Sequence, residues 1–219
     1  MSRNRLIVLG FVVVLAGAIA AWLLLGPNQS APDTAGNPGY VITARDRTIG
    51  NPKAKVVLIE YGAPVCPHCA EFEMQDFPHL KADYIDTGKV FYVFRVFPIR
   101  PLDFPAENIA RCLPEDKYFA FIDLLFRNQP KWDGDEYPVA DPHAGLVLMG
   151  RIAGMTPEQV DTCIADKAGN ELTKQVGADA DAKYHITGTP TFVVNGSAMA
   201  AGAPYSDLKN TLDAELAKK

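Results

Sequence analysis

No acidic or basic residue occurs between Arg5 and Asp33. That gap excludes an ordinary solvated N-terminus, because Leu6 to Leu25 is an unbroken apolar run. As a helix rising about 1.5 Å per residue, it spans roughly 30 Å, one bilayer core. Residues 1–26 therefore read as a signal-anchor or transmembrane segment, with Arg3 and Arg5 on the cytoplasmic side. Ala18-Ile19-Ala20 keeps open a cleaved leader and a secreted soluble form. Both readings export the rest of the chain. Basic residues are also scarce. Setting aside Arg3 and Arg5, 19 Lys and Arg face 26 Asp and Glu, a formal charge of −7. That balance excludes the basic footprint of a nucleic-acid binder. Only four cysteines occur, and no second Cys-x-x-Cys or His pair accompanies the first. The paired ligand spacing of a structural zinc site is thus missing.

What is present divides cleanly. Residues 27–39, rich in Pro, Gly, Ser, Asn and Ala, carry neither helix nor strand period and read as a flexible tether. The folded unit is placed at residues 40–219. Val56 to Tyr61 is apolar except for Glu60 and reads as a buried strand. A helix follows, with Pro67 in its first turn, an apolar face of Phe72, Phe77 and Leu80, and a kink at Pro78. Val90 to Phe97 is a second strand, which completes a βαβ unit. The next strand signal is Thr191 to Val194, turned by Asn195-Gly196 into a return strand at Met199 to Ala201.

About 90 residues separate the second strand from that hairpin, far too many for a loop. They carry helical patterns at Pro105–Cys112, Glu115–Arg127, His143–Ala153, Thr156–Ala165 and Lys167–Tyr184. An all-helical insertion at about 98–187 follows. Phe119, Phe121, Phe126 and Trp132 either pack its core or rim a groove. A last helix from Ser206 presents Leu208, Leu212 and Leu216 to the sheet.

Cys66-Pro67-His68-Cys69 carries the chemistry. A cysteine at a helix N-terminus points its sulfur at unpaired N–H groups and the positive end of the helix dipole, which stabilises a thiolate. An imidazole at His68 is expected to add to that. Whatever favours the dithiol makes the Cys66–Cys69 disulfide an oxidant. The competing readings are a zinc half-site and an inert bridge, which would add little because the loop is so short. Glu60 fits a partly buried acid that accepts and returns the Cys69 proton; the alternative is an exposed edge position. Cys112 and Cys163, in an exported chain, are expected to form a structural disulfide; the alternative is two buried free thiols. His79, His143 and His185 read as capping or surface residues.

Glu60 six residues before Cys66, the Cys-Pro-His-Cys centre, the helical insertion and Gly188-Thr189-Pro190-Thr191-Phe192 together resemble the DsbA-like thiol:disulfide oxidoreductases. The resemblance implies an α/β, thioredoxin-like fold with an inserted all-helical subdomain. It also implies a cis peptide between Thr189 and Pro190, lying against the redox pair as a substrate-binding loop. Thr189 stands where the strongest oxidases of that family carry valine. The implied activity is the introduction of disulfides into reduced, unfolded exported polypeptides, on the periplasmic side of the inner membrane and without a cofactor. Reoxidation would come from a membrane quinone-linked thiol oxidase of the DsbB or VKOR type. The chain is expected to be a monomer. A reductase or isomerase on the same fold is the nearest rival, and a non-catalytic holdase is the rival from another class.

Overall fold

The structure, a computed structural model, describes residues 40–218. The expected anchor at 1–26 and tether at 27–39 lie outside the described residues. Residues 45–218, with Tyr40 and Val41, belong to one compact unit. No helix among the described residues is long and apolar enough to cross a membrane.

Five strands form one mixed sheet: β1 (Arg47–Gly50), β2 (Val56–Gly62), β3 (Val90–Val96), β4 (Thr191–Val194) and β5 (Ser197–Ala198), in the order β1-β3-β2-β4-β5. β2 is central, and all seven of its residues are buried. A strand covered on both faces needs an unbroken apolar run, which is what Val56 to Tyr61 supplies apart from Glu60. β2 and β3 are parallel, with Leu58 opposite Tyr92 and Glu60 opposite Phe94. β4 pairs antiparallel with β2, setting Phe192 opposite Glu60.

The return strand is shorter and earlier than the sequence indicates. It covers Ser197–Ala198, not Met199–Ala201. Asn195 and Gly196 both take positive φ, 47° and 86°, so a two-residue turn starts the return strand at once. β1 carries no clear sequence signal, having four residues and half-buried side chains.

Helix α1 (Pro67–Gln75) leaves the end of β2 and buries Cys69, Ala70 and Phe72. It breaks at Asp76 and continues as α2 (Phe77–Leu80), where Pro78 sits in the first turn, then as a π-turn over Lys81–Ile85. Between β3 and β4 lie α3 (Asp103–Cys112), a 3₁₀ turn (Glu115–Lys117), α4 (Tyr118–Arg127), α5 (Gln129–Trp132), α6 (Pro142–Ile152), α7 (Pro157–Ile164) and α8 (Lys167–Tyr184). Thr156 and Gln159 close a reciprocal capping box at the start of α7, satisfying two N–H groups the helix itself leaves open. His185 ends α8 in the left-handed conformation, φ 51°. α9 (Tyr205–Ala217) buries Leu208 and Leu212.

Insert and sheet share one core. Tyr92 of β3 touches Phe77 on one side (centroids 5.1 Å) and Phe119 of α4 on the other (6.0 Å). Phe121, Phe126 and Trp132 are buried in it. Within the insert α5 and α6 approach so closely that a Cβ on Gly145 would lie 2.4 Å from the Lys131 carbonyl oxygen. Cys112, at the end of α3, is joined to Cys163 of α7, 51 residues on.

Candidate active site

The chain turns sharply after β2. Cys66 N–H donates to the Ala63 carbonyl (2.9 Å), and Cys66 becomes the N-cap of α1 with extended backbone, φ −81° and ψ 119°. In that pose its side chain faces the open N–H groups of the first helical turn. Cys69 N–H donates to Cys66 Sγ at 3.3 Å. The Cys69 thiol and the His68 N–H also reach that sulfur. Together these donors, the Cys69 thiol foremost, hold the Cys66 pKa down from 9.0 to about 6, against the opposing effect of burial. Cys69 is fully buried, and burial first, then the neighbouring Cys66 sulfur, pushes its thiol well up. The two sulfurs, both free thiols in this structure, are therefore unequal.

The Thr189–Pro190 peptide is cis, and the Thr189 carbonyl accepts from Cys66 Sγ at 3.3 Å. Thr189 Oγ1 is buried with no hydrogen-bond partner of its own. A groove of about 380 Å³ opens beside Pro190, lined also by His68, Glu71, Phe72, Asp76 and Tyr205.

The structure brings the His68 backbone N–H, and not its ring, to the sulfur. The imidazole is 80% exposed and lies 3.7 Å from Glu71 Oε2, so the expected ring contact with the sulfur is replaced by its N–H. The first turn of a helix points successive side chains outward while its N–H groups converge on the cap. The other three histidines lie away from the sulfurs, His79 in α2, His143 paired with Asp161 (2.8 Å) and His185 capping α8.

Glu60 is 1% exposed on the central strand. Its Oε2 accepts a hydrogen bond from the Tyr92 hydroxyl at 2.8 Å. Burial raises its pKa from 4.5 to about 8, the nearby Glu73 carboxyl adds to that, and the Tyr92 bond works against it. Glu60 also raises the Cys69 thiol through its charge. Below about pH 8 Glu60 is thus a proton-bearing acid, buried on the strand that leads into the Cys66 turn; once ionised, it disfavours the Cys69 thiolate.

Sequence reasoning missed four residues around this centre. Tyr92 holds Glu60. Glu73, on α1, is itself raised to about 8 by burial and by Asp123. Asp103 Oδ1 accepts from Val65 N–H at 3.1 Å, and Gln129 Nε2 donates to the carbonyls of Pro64 (2.8 Å) and Cys66 (3.0 Å). Burial pushes Asp103 up to about 6, although three backbone N–H donors hold it down. Tyr92 alone left a signal: a tyrosine inside an apolar strand needs a partner for its hydroxyl, and Glu60 offers one on the same face. Among the described residues no cluster of three His, Cys, Asp or Glu side chains is placed to hold a metal ion.

A mixed five-stranded sheet, a Cys-x-x-Cys at the mouth of its first long helix and a cis-proline against the first sulfur define a thioredoxin fold with a redox dithiol. The thioredoxin family profile matches residues 43–214, and the chain belongs to that family. Its fold is that of the DsbA-type members. The crystal structure of Wolbachia pipientis alpha-DsbA1 superposes with a TM-score of 0.72 at 27% identity, over 80% of this chain and 92% of that one. Disulfide bond formation protein D of Bacillus subtilis is 28% identical over 179 residues, 78% of this chain and 77% of that one. A Rickettsia bellii protein, named provisionally as a protein-disulfide oxidoreductase, is 36% identical over 160 residues. The match takes in 72% of this chain and 60% of that relative, so the chain spans about three fifths of that relative's length.

Proposed function

We propose that the chain is a thiol:disulfide oxidoreductase that works as a dithiol oxidase, introducing disulfides into exported polypeptides through Cys66 and Cys69. The carrying observation is the inequality of the two sulfurs, one capped by N–H donors with a pKa of about 6, the other buried with a pKa pushed well up. In the oxidised protein a client thiolate attacks Cys66 Sγ and breaks the Cys66–Cys69 bond. Cys69 leaves with the electron pair and takes a proton from Glu60, which its raised pKa keeps loaded at neutral pH. A second client thiolate then attacks the client sulfur of the mixed disulfide, and Cys66 departs as a stable thiolate. The client has lost two electrons and gained a disulfide, and the protein is left as the dithiol.

The half-buried cis-Pro190 loop supports a role in pairing with an extended client beside the sulfur. The apolar run at 6–25 supports anchoring on the extracytoplasmic side of a membrane. There a quinone-linked thiol oxidase of the DsbB or VKOR type would restore the disulfide. The test is oxidative refolding of a reduced, unfolded client. The wild type should form client disulfides and Cys66→Ser should form none. Equal client oxidation by both proteins, or a resting dithiol in intact cells, would sink the oxidase reading.

A further inference from the structure

We propose that Gln129 and Asp103, each the first residue of an insert helix, are positioning residues that hold the turn carrying Cys66 in the pose that stabilises its thiolate. The inference rests on reading Cys66 as the redox thiol. Three consecutive residues of that turn each give one backbone group to the insert. The Pro64 and Cys66 carbonyls accept from the single Gln129 side-chain nitrogen, at 2.8 and 3.0 Å. Between them, Val65 N–H donates to Asp103 Oδ1 at 3.1 Å. The other Asp103 oxygen takes the N–H groups of Ile99 (2.8 Å) and Arg100 (3.0 Å), just beyond the end of β3. Both side chains are buried, Gln129 at 1% and Asp103 at 0% exposure. Buried donors and acceptors with partners at this geometry are held firmly, since losing one partner strands the other without water.

The chemistry follows from one torsion. Cys66 ψ, 119°, sets the direction of its own carbonyl and, by the same rotation, the direction from which the His68 and Cys69 N–H groups approach Sγ. A side chain that pins the Cys66 carbonyl therefore pins the aim of those donors. The Ala70 N–H shares that carbonyl at 3.1 Å, but it belongs to α1 and turns with it. Gln129 lies 63 residues away on a different element and provides an independent fixed point. The insert is thereby part of the redox centre's support, and not only a cover for it.

The experiment uses the full chain with Gln129→Met, which keeps the length and removes the donor, and Gln129→Asn, which keeps the amide one methylene short. Thiolate absorbance against pH is read on each folded protein, beside its thermal melt. Hydrogen-bonded positioning predicts that the Cys66 pKa rises in both, by about 0.7 pH units in Gln129→Met. At 1.36 kcal/mol per unit that is roughly the worth of one neutral hydrogen bond. Client oxidation should slow in step. A merely structural role lowers the melting temperature and leaves the pKa of the folded protein where it was. That result, or loss of the folded state in both variants, overturns the inference. A wild-type Cys66 with an ordinary thiol pKa would overturn the redox reading instead, so the two failures are distinct.

Discussion

Lowering the pH of the dithiol from 8 to 5 should remove most of its advantage as the reduced form of an oxidant. The Cys66 pKa lies at about 6 where 9.0 is ordinary. A depressed pKa stabilises the thiolate-bearing form fully above the ordinary value, and the stabilisation is lost as pH falls through the depressed one. At pH 7 the difference between the two titration curves is about 1.4 kcal/mol, which for a two-electron couple is about 30 mV. At pH 5 it is close to zero. These are order-of-magnitude upper figures for a cysteine that is 4% exposed. Thiolate absorbance, with Cys66→Ser subtracted, should show a midpoint at about 6. Equilibration with glutathione buffers should give a potential falling by about 59 mV per pH unit below that midpoint and about 30 mV above it, as one proton fewer accompanies the electrons. A midpoint near ~8.5, the value of a free thiol, or a single slope from pH 5 to 8, would refute the reasoning.

Glu60→Gln should slow release of Cys69 by about tenfold or more, since the general acid is gone, in stopped-flow reduction by a dithiol peptide; unchanged rates across pH would leave Glu60 without that role. The same variant should be the more stable protein above pH 8, with the gap closing toward pH 5. A buried carboxyl with a raised pKa contributes stability below its unfolded pKa and loses it as pH rises through about 8. Replacing both Cys112 and Cys163 by alanine should cost about 4 kcal/mol at most, from the loop-closure entropy of that separation, and should lower the melting temperature by several degrees. A melt identical to wild type would show the bridge to be energetically idle.

The long elements were legible because each carries a strong local pattern. β2 and β3 are apolar runs of strand length, α7 has its capping box written into Thr156 and Gln159, and the 18 residues of α8 run from Lys167 to Tyr184 without a break. β1 escaped because four residues of which none is fully buried leave no alternation to count. α5 escaped because a four-residue helix beginning Gln129-Pro130 looks like a loop. The centre shows the same division. Cys66, Cys69 and Glu60 are marked by spacing along the chain, and Pro190 by the family resemblance. Asp103 and Gln129 reach the Cys66 turn from 38 and 65 residues away, and nothing local to either announces the contact. The His68 ring, expected at the sulfur from the sequence, is 80% exposed beside Glu71 in the structure, and the backbone N–H faces Cys66 instead.

The two outermost strands are short: β1 has four residues and β5 has two, both of the latter exposed. A sheet edge is a row of unpaired donors and acceptors on which any extended chain can add a strand, and long flat edges seed aggregation. For a protein that oxidises unfolded polypeptides, the function proposed above, that hazard would arise at every encounter. Edges of this length give a passing chain too few backbone bonds to stay, so on the proposed function productive pairing would be left to the cis-proline loop, where a covalent bond to Cys66 would limit the visit.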